Sequence, residues 1–273
     1  MVGIVVRDDG PVTSPYTDLG RPPLDEAALR RALLVPNGLY TDLRVTPETA
    51  STNADVAAAA RAGAAEGLVI TAESQAAGRG RLGRGWSSPP RAGLAVSVLL
   101  RPDAVSGWFP LLVGVAAVEA VRRVAEVDAV LKWPNDVLVG DRKLGGILVE
   151  LHDGVVVAGV GLNVSLRAEE LPVPAATSLV LAGAANADRD PLLRALLRRL
   201  ADWYARWRDA AGDPVACGLR DTYLLHCATI GREVRLDLPG DRSVTGTAGD
   251  IDRDGRIVVD GLPYAAADVV HLR

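Results

Sequence analysis

The sequence of 273 residues has few of the side chains that most often carry covalent or metal chemistry. It contains two cysteines, Cys217 and Cys227, and three histidines, His152, His226 and His271. Neither set has the spacing of a zinc site, a CxxC redox pair or a histidine-based catalytic triad. We therefore expect reduced, inert thiols and no metal site built from protein side chains.

Long apolar segments and an excess of positive charge are also missing. No apolar run is long enough to span a bilayer, and the first residues lack the apolar core of a signal peptide. We therefore expect a cytoplasmic protein without membrane contact. The formal net charge of −4 argues against a general nucleic-acid-binding surface, which is normally basic.

Lysine and glutamine are nearly absent. Among the 30 basic residues only Lys132 and Lys143 are lysines, and Gln75 is the sole glutamine. Because arginine serves at almost every other cationic position, a position that keeps lysine is a candidate for a chemical requirement. All three residues lie inside the motifs described below, which strengthens that interpretation.

The pattern of apolar residues predicts three regions. Residues 1–23 are rich in proline, glycine and polar residues and predict a flexible arm. Residues 24–227 combine buried-strand runs with helical periodicity, as in the helices predicted at 25–34 and 191–210. This combination indicates an α+β domain with a mixed sheet and helices packed on one side. Residues 228–273 alternate apolar and polar residues in short runs, which predicts a small C-terminal β-barrel.

The segment AAGRGRLGRGWSS, residues 76–88, alternates glycine with arginine. Gly78, Gly80 and Gly83 match GxGxxG, but a dinucleotide-binding loop must open a helix, whereas further glycines and prolines follow here. Glycines let backbone amides approach an anion, and arginines provide bidentate donors for carboxylate and phosphate. Trp86 could stack on a planar base. The alternative is an exposed Arg/Gly loop with Trp86 packed in the core.

The segment KWPNDVLVGDRKLGGILVE supplies a second polar group. Lys132 and Lys143 bracket a turn at Asn135–Asp136, and Gly145–Gly146 permits the close approach of a neighbour or ligand. Each feature taken singly also fits an ordinary turn. Farther along, Asn163 lies within an apolar strand, where its amide must find a partner in the core or in a ligand.

Together these segments resemble the biotin protein ligases. The resemblance rests on five motifs in a fixed order and extends over roughly residues 40–273. It implies a catalytic domain like that of class II synthetases, followed by an SH3-like barrel. The motifs are STN at 51–53, ESQAAGRGRLGRGW at 73–86, KWPND at 132–136, KLGGILVE at 143–150 and GVGLNV at 159–164.

The resemblance implies a two-step reaction. Biotin and ATP give biotinyl-5′-adenylate and pyrophosphate, and the adenylate then acylates one lysine of a biotin carboxyl carrier domain. Magnesium would bind chiefly through the ATP phosphates. The chain's own chemistry agrees, because fixed cations relieve the repulsion between a carboxylate and a triphosphate, and neither step needs a protein nucleophile.

The resemblance also assigns roles to particular residues. Those expected to contact biotin are Ser51, Thr52, Asn53, Gln75, Gly78, Arg79, Gly80, Arg81, Lys143 and Gly145. Those expected to contact the nucleotide are Arg79, Arg81, Arg84, Trp86, Lys132, Asn135 and Asn163. Catalytic roles fall to Arg81, Lys143 and Asp136. Thr52 with Asp55 also fits a helix capping box, so capping is the alternative role for Ser51 and Thr52.

Two departures and two alternatives qualify these expectations. Leu82 stands where many relatives carry a basic residue, which removes one possible phosphate contact. The 50 residues before the STN motif include the predicted flexible arm of residues 1–23, which leaves fewer ordered residues than a DNA-binding domain needs, so we expect no DNA partner and no repressor activity. The alternatives are a lipoate–protein ligase, and a nucleic-acid-binding module that uses the Arg/Gly loop. The sequence leaves open whether the chain is a monomer or a homodimer.

Overall fold

The structure is a computed structural model, and it describes residues 20–265 and 267–272. The predicted flexible arm, residues 1–23, thus lies largely outside the described residues. In the part that is described, Arg21 is buried and its guanidinium pairs with the carboxylate of Glu170. This end of the predicted arm is therefore packed against the following domain.

A mixed seven-stranded sheet forms the centre of the molecule. The strands before the C-terminal domain are β1 (Asp42–Thr46), β2 (Leu68–Ala72), β3 (Gly78–Arg79), β4 (Gly85–Trp86), β5 (Gly93–Leu100), β6 (Ala129–Lys132), β7 (Asp136–Val139), β8 (Arg142–His152) and β9 (Val155–Asn163). The sheet has the order β1-β2-β5-β9-β8-β7-β6, with β1 and β2 parallel and the other neighbours antiparallel. Strands β3 and β4 form a separate short hairpin.

Four of the five helices in the described residues share one face of this sheet. The helices are α1 (Glu26–Leu33), α2 (Thr52–Arg61), α3 (Phe109–Ala125), α4 (Arg189–Asp209) and α5 (Leu219–His226). Helix α3 packs on the sheet, and α4 packs along α3, where Phe109 meets Trp207 at a ring-centroid distance of 5.7 Å. The helices predicted at 25–34 and 191–210 are confirmed.

Helix α2 covers the opposite face, which the sequence analysis did not foresee. Val69 of β2 joins the main core, whereas its neighbours Leu68 and Ile70 pack with Val56 of α2. Successive side chains of a strand point to opposite faces, so a strand that is apolar at every position needs cover on both sides. All five residues of β2 are buried, which explains the second layer.

The C-terminal region forms a small antiparallel sheet of five strands. They are β10 (Glu233–Leu238), β11 (Arg242–Ile251), β12 (Ile257–Val259), β13 (Leu262–Tyr264) and β14 (Asp268–His271), in the order β13-β12-β11-β10-β14. The domain docks on the larger one through two indole groups. Trp108 Nε1 donates to the carbonyl of Arg253 at 2.9 Å, and Trp133 Nε1 donates to that of Gly255 at 3.1 Å.

The thiols and the apolar character of the helices bear on two further sequence predictions. Both cysteines are free thiols. Within the described residues, no helix combines the length and the apolar character that crossing a bilayer requires.

Candidate active site

A cavity of about 380 Å³ opens on the face of the sheet that α2 covers, a volume typical of small-molecule sites. It lies between the start of α2, the β3–β4 hairpin and strands β7 to β9. Most of the predicted site residues line it: Ser51, Thr52, Asn53, Gln75, Arg79, Gly80, Arg81, Arg84, Trp86, Asn135, Asp136, Lys143 and Asn163. Segments that lie far apart in the sequence thus share one cavity.

Small residues keep the floor of the cavity open. Gly159 and Gly161 of β9 point toward the α2 face, where a side chain would fill the space. A Cβ atom on Gly159 would lie 2.2 Å from Asn53 Oδ1, and one on Gly161 would lie 2.6 Å from Trp86 Cε2. The two glycines therefore allow the Asn53 amide and the Trp86 indole to rest directly on the sheet.

Three predicted residues do not line this cavity. A Cβ on Gly145 would meet Leu162 Cδ2 at 2.5 Å, so Gly145 faces away, and its neighbour Gly146 lines the cavity instead. The predicted contact is thus displaced by one residue, because adjacent strand positions face opposite ways. Gly78 packs under the Trp86 carbonyl within the hairpin. Lys132 lies opposite Asp136 in the backbone register of β6 and β7, and burial lowers the pKa of Lys132.

Polar groups gather at the start of α2. The helix is capped by Ser51, whose Oγ accepts from the backbone amide of Ala54 at 3.5 Å, so the capping box predicted at Thr52 is wrong. Thr52 is engaged elsewhere, because its amide and its Oγ1 both donate to Gln75 Oε1, at 2.8 and 3.2 Å. This pairing fixes the amide oxygen of Gln75 and leaves its nitrogen as a donor for a ligand.

Two members of this polar group, Ser97 and Glu150, were not predicted from the sequence. Asn53 Nδ2 donates to Glu150 Oε2 at 2.7 Å, and Asn53 Oδ1 lies 2.6 Å from the hydroxyl of Ser97. Glu150 Oε1 also lies 4.0 Å from the guanidinium of Arg79. Strand alternation offered a signal, because Glu150 shares the parity of Gly146 along β8 and therefore its face.

The opposite end of the cavity holds the lysine. Lys143 Nζ lies 2.5 Å from Asp136 Oδ1, and both side chains remain partly exposed. The backbone of Lys143 pairs with the loop 171–176, since its amide donates to the Ala175 carbonyl at 2.8 Å. That loop contributes Pro172 and Val173 to the cavity wall, an apolar cover that the sequence analysis did not identify.

The arginine hairpin, which we define as residues 78–86, forms the outer wall. Its turn is closed by a hydrogen bond of 2.7 Å from the Gly80 amide to the Arg84 carbonyl. Leu82 sits at the tip, 75% exposed and with a φ of 56°. The side chain of Arg81 turns inward, and burial lowers the pKa of its guanidinium.

Two buried polar atoms on the cavity wall have no hydrogen-bond partner among the described residues. They are Arg81 Nη1 and Asn163 Oδ1. The amide nitrogen of Asn163 is satisfied by the Thr177 carbonyl at 2.9 Å. Buried donors and acceptors are normally paired, so these two atoms are available to a ligand that offers an acceptor, such as an anionic group, to Arg81 and a hydrogen-bond donor to Asn163.

Comparison with known proteins is consistent with this chemistry. Residues 45–166 match the Biotin/lipoate A/B protein ligase family, and residues 229–272 match the Biotin protein ligase C terminal domain. The biotin–[acetyl-CoA-carboxylase] ligase of Mycobacterium tuberculosis is 43% identical over 265 residues, which cover 93% of this chain and 97% of that protein. The chain belongs to the biotin protein ligase family.

Other members of the family agree in sequence and in fold. The bifunctional ligase/repressor BirA of Escherichia coli is 33% identical over 229 residues, 74% of this chain and 66% of BirA. The biotin protein ligase from Aquifex aeolicus, solved in complex with biotin and ATP, has a TM-score of 0.73 at 26% identity and covers 85% of this chain and all of that one. The family and the fold class that the motifs predicted are confirmed, and the C-terminal sheet corresponds to the predicted SH3-like domain.

Proposed function

We propose that this biotin protein ligase activates biotin with ATP to form biotinyl-5′-adenylate, and then transfers biotin to a lysine of a biotin carboxyl carrier domain. One observation carries the proposal. A single cavity joins a polar end at Ser51 and Gln75 to a cationic end at Arg81 and Lys143, with Trp86 on its floor. Biotin has a matching shape, since a hydrogen-bonding ureido ring and a carboxylate stand at opposite ends of an apolar chain.

In this arrangement the ureido ring lies at the start of α2. Its carbonyl accepts from the free amide nitrogen of Gln75, and its N–H groups reach the hydroxyl of Ser51. Asn53 supports this end from below, because its amide is already held by Glu150 and Ser97. The carboxylate then points along the sheet toward Lys143.

The first step joins two anions. A carboxylate oxygen of biotin attacks the α-phosphorus of ATP while the bond to pyrophosphate breaks. Lys143 and the unpaired Nη1 of Arg81 balance the negative charge, which is worth more in a partly buried site than in water. Trp86 offers its ring to the adenine. ATP enters as its magnesium complex, with the metal held mainly by phosphate oxygens, since the described residues contain no group of three or more potential metal ligands.

The second step transfers the acyl group. The ε-amine of the carrier lysine attacks the acyl carbon, the acyl–phosphate bond breaks, and AMP leaves. The attacking amine must lose a proton, and we assign Asp136, the carboxylate at this end of the cavity, as the group that accepts it. Lys143 holds that carboxylate at 2.5 Å, so the approach of a second ammonium group would have to compete with an existing ion pair.

The free thiols suit a reducing compartment, and we propose that the reaction takes place in the cytoplasm.

The test follows both steps with the full chain. Incubation with biotin, magnesium and ATP labelled at the α-phosphate should yield pyrophosphate and labelled biotinyl-adenylate. Addition of a purified carrier domain from an acetyl-CoA carboxylase should move biotin onto the protein. A carrier whose acceptor lysine is replaced by alanine should remain unmodified.

A parallel reaction separates this activity from that of a lipoate ligase, which belongs to the same broader family. Lipoate offered in place of biotin should give no adenylate, because it lacks the ureido group that Gln75 and Ser51 would bind. Pyrophosphate release with lipoate but not with biotin would refute the proposed substrate.

A further inference from the structure

The arginine hairpin is tied to the C-terminal domain by an ion pair. Arg84 Nη2 lies 2.9 Å from Oδ1 of Asp268, the first residue of β14. The same guanidinium reaches back into the hairpin, where Arg84 Nε donates to the Arg81 carbonyl at 3.3 Å. One side chain thus connects the second domain to the backbone of Arg81, the residue whose own guanidinium lines the cavity.

Strand β14 is a fixed point from which to hold the hairpin. At its far end, His271 Nε2 lies 3.1 Å from the hydroxyl of Thr229. Burial lowers the pKa of His271 to about 4, so its ring is neutral at pH 7. Arg232 Nη1 lies 3.4 Å from His271 Nδ1 and can only donate, so Nδ1 accepts and Nε2 donates to the Thr229 oxygen. The Thr229 oxygen also accepts from the backbone amide of Trp133 at 3.1 Å, within the KWPND motif. The strand that carries Asp268 is therefore anchored close to the cavity.

The carboxylate of Asp268 does little to stabilise the C-terminal domain itself. In the antiparallel pairing of β10 with β14, Asp268 stands directly opposite Asp237. Like charges at such a position are destabilising. Asp237 is balanced within its own strand by Arg235 at 2.9 Å, whereas Asp268 forms an ion pair with Arg84 outside the domain. The contact with the arginine hairpin, rather than a contact within the C-terminal domain, explains why residue 268 is an aspartate.

We propose that Asp268 is a positioning residue of the ligase site, which holds the arginine hairpin over the cavity by gripping Arg84. The inference rests on the proposed function, in which Arg81 and Trp86 of this hairpin contact the nucleotide. It also assigns different roles to Arg81 and Arg84. Arg84 serves as the tether, while Arg81 presents its buried Nη1 to the ligand. The C-terminal domain thereby contributes one side chain to closure of the site.

The exposed fractions of the Arg84 and Asp268 side chains set the expected strength of this ion pair. The side chains of Arg84 and Asp268 are 59% and 36% exposed, so their interaction is partly screened by water. An exposed ion pair of this kind supports a change of about two- to fivefold in an opening equilibrium. The tether should also weaken as salt is raised, since charges at the surface are screened over a few ångströms at high ionic strength.

The first experiment measures release of the adenylate from the full chain. Biotinyl-adenylate is formed with labelled ATP, and its loss is followed after addition of excess unlabelled biotin and ATP. Asp268→Asn should speed release by about two- to fivefold at low salt, and the difference from the unmodified chain should vanish near 1 M salt. Asp237→Asn is the matched control, because it removes the opposing carboxylate without touching the hairpin, and its release rate should stay unchanged.

The second experiment needs no ligand. Brief digestion with trypsin, read by mass spectrometry, reports cleavage after Arg81 in the free protein. Cleavage should be faster in Asp268→Asn than in the unmodified chain or in Asp237→Asn. If the unmodified chain forms no adenylate, the proposed function fails, and the digestion still decides the tether.

Reversal of the charges gives the decisive comparison. Arg84→Asp alone should speed both release and cleavage, and the double variant Arg84→Asp with Asp268→Arg should recover most of the loss. Equal rates for Asp268→Asn and the unmodified chain would overturn the inference. So would a double variant that behaves no better than Arg84→Asp alone.

Discussion

Gly161 offers the sharpest test of how the nucleotide end of the cavity is built. The residue lies in strand β9 with an ordinary extended backbone, so alanine is conformationally acceptable there. In many strands such a change would be harmless or mildly stabilising. Here the added methyl group would meet the indole of Trp86 at 2.6 Å from Cε2 and 2.8 Å from Cζ2.

These distances set the magnitude. Carbon atoms pack at about 3.5–4.0 Å, so the ring must retreat by roughly 1 Å from the sheet. That movement places the indole ring, which we propose stacks on adenine, in the space that adenine would occupy. Because a misplacement of about 1 Å can cost a hundredfold in rate, we expect Gly161→Ala to lower kcat/KM for ATP by about 10- to 100-fold. The affinity for biotin should change by less than about threefold, since the ureido end is untouched.

The assay is release of pyrophosphate as ATP is varied at saturating biotin, with the affinity for biotin measured separately by calorimetry. Gly249→Ala serves as the control for an added methyl group in a strand, because nothing lies within 4 Å of its Cβ position. In a Trp86→Ala background the cost of Gly161→Ala should largely disappear, since the two residues act through one contact. A full loss that persists without the indole would refute the reasoning.

Three other predictions address the remaining parts of the site. Lys143→Ala should slow adenylate formation by at least about 100-fold, yet change the free energy of unfolding by less than about 1 kcal/mol, because its ion pair with Asp136 is partly exposed; near-normal rates would remove it from the mechanism. Glu150→Ala should raise KM for biotin by about tenfold through loss of the hydrogen bond that fixes Asn53, whereas Glu150→Gln, which can still accept that bond, should stay close to the unmodified chain; equal effects would contradict a positioning role. Burial lowers the pKa of His271 from 6.5 to about 4, so the unfolded chain binds a proton that the folded chain does not as the pH falls from about 6.5 to 4. Urea unfolding should therefore show a loss of about 1 kcal/mol between pH 7 and pH 5 after allowance for solvent screening, and the slope should be smaller in His271→Gln; identical slopes would exclude the ring as its source.

Local patterns in the sequence were sufficient to name most of the residues that line the cavity. The order of five short motifs, and the presence of Lys143 and Gln75 in a chain that has only two lysines and one glutamine, pointed to the residues that the structure gathers there. The helices predicted at 25–34 and 191–210 also appear where expected, because their apolar periodicity is a property of the local sequence.

Other features depend on which face of a strand a residue occupies. Helix α2 lies opposite the other helices because β2 is buried on both sides, a fact that one strand read alone does not reveal. The same alternation puts Gly146 rather than Gly145 in the cavity and brings Glu150 to Asn53. The pairing of β8 with β7 and β9 fixes these faces, and a bulge shifts the β7–β8 register between Val137 and Leu138.

The sequence by itself thus identified the family through five motifs in a fixed order, and the kind of reaction was predicted from that resemblance. Only the tertiary structure decided how the site is closed and supported. Arg84 and Asp268 are separated by most of the chain and belong to different domains, so no local pattern joins them. Their contact exists because Trp108 and Trp133 dock the second domain onto the first, and that docking depends on surfaces that form only when both domains have folded.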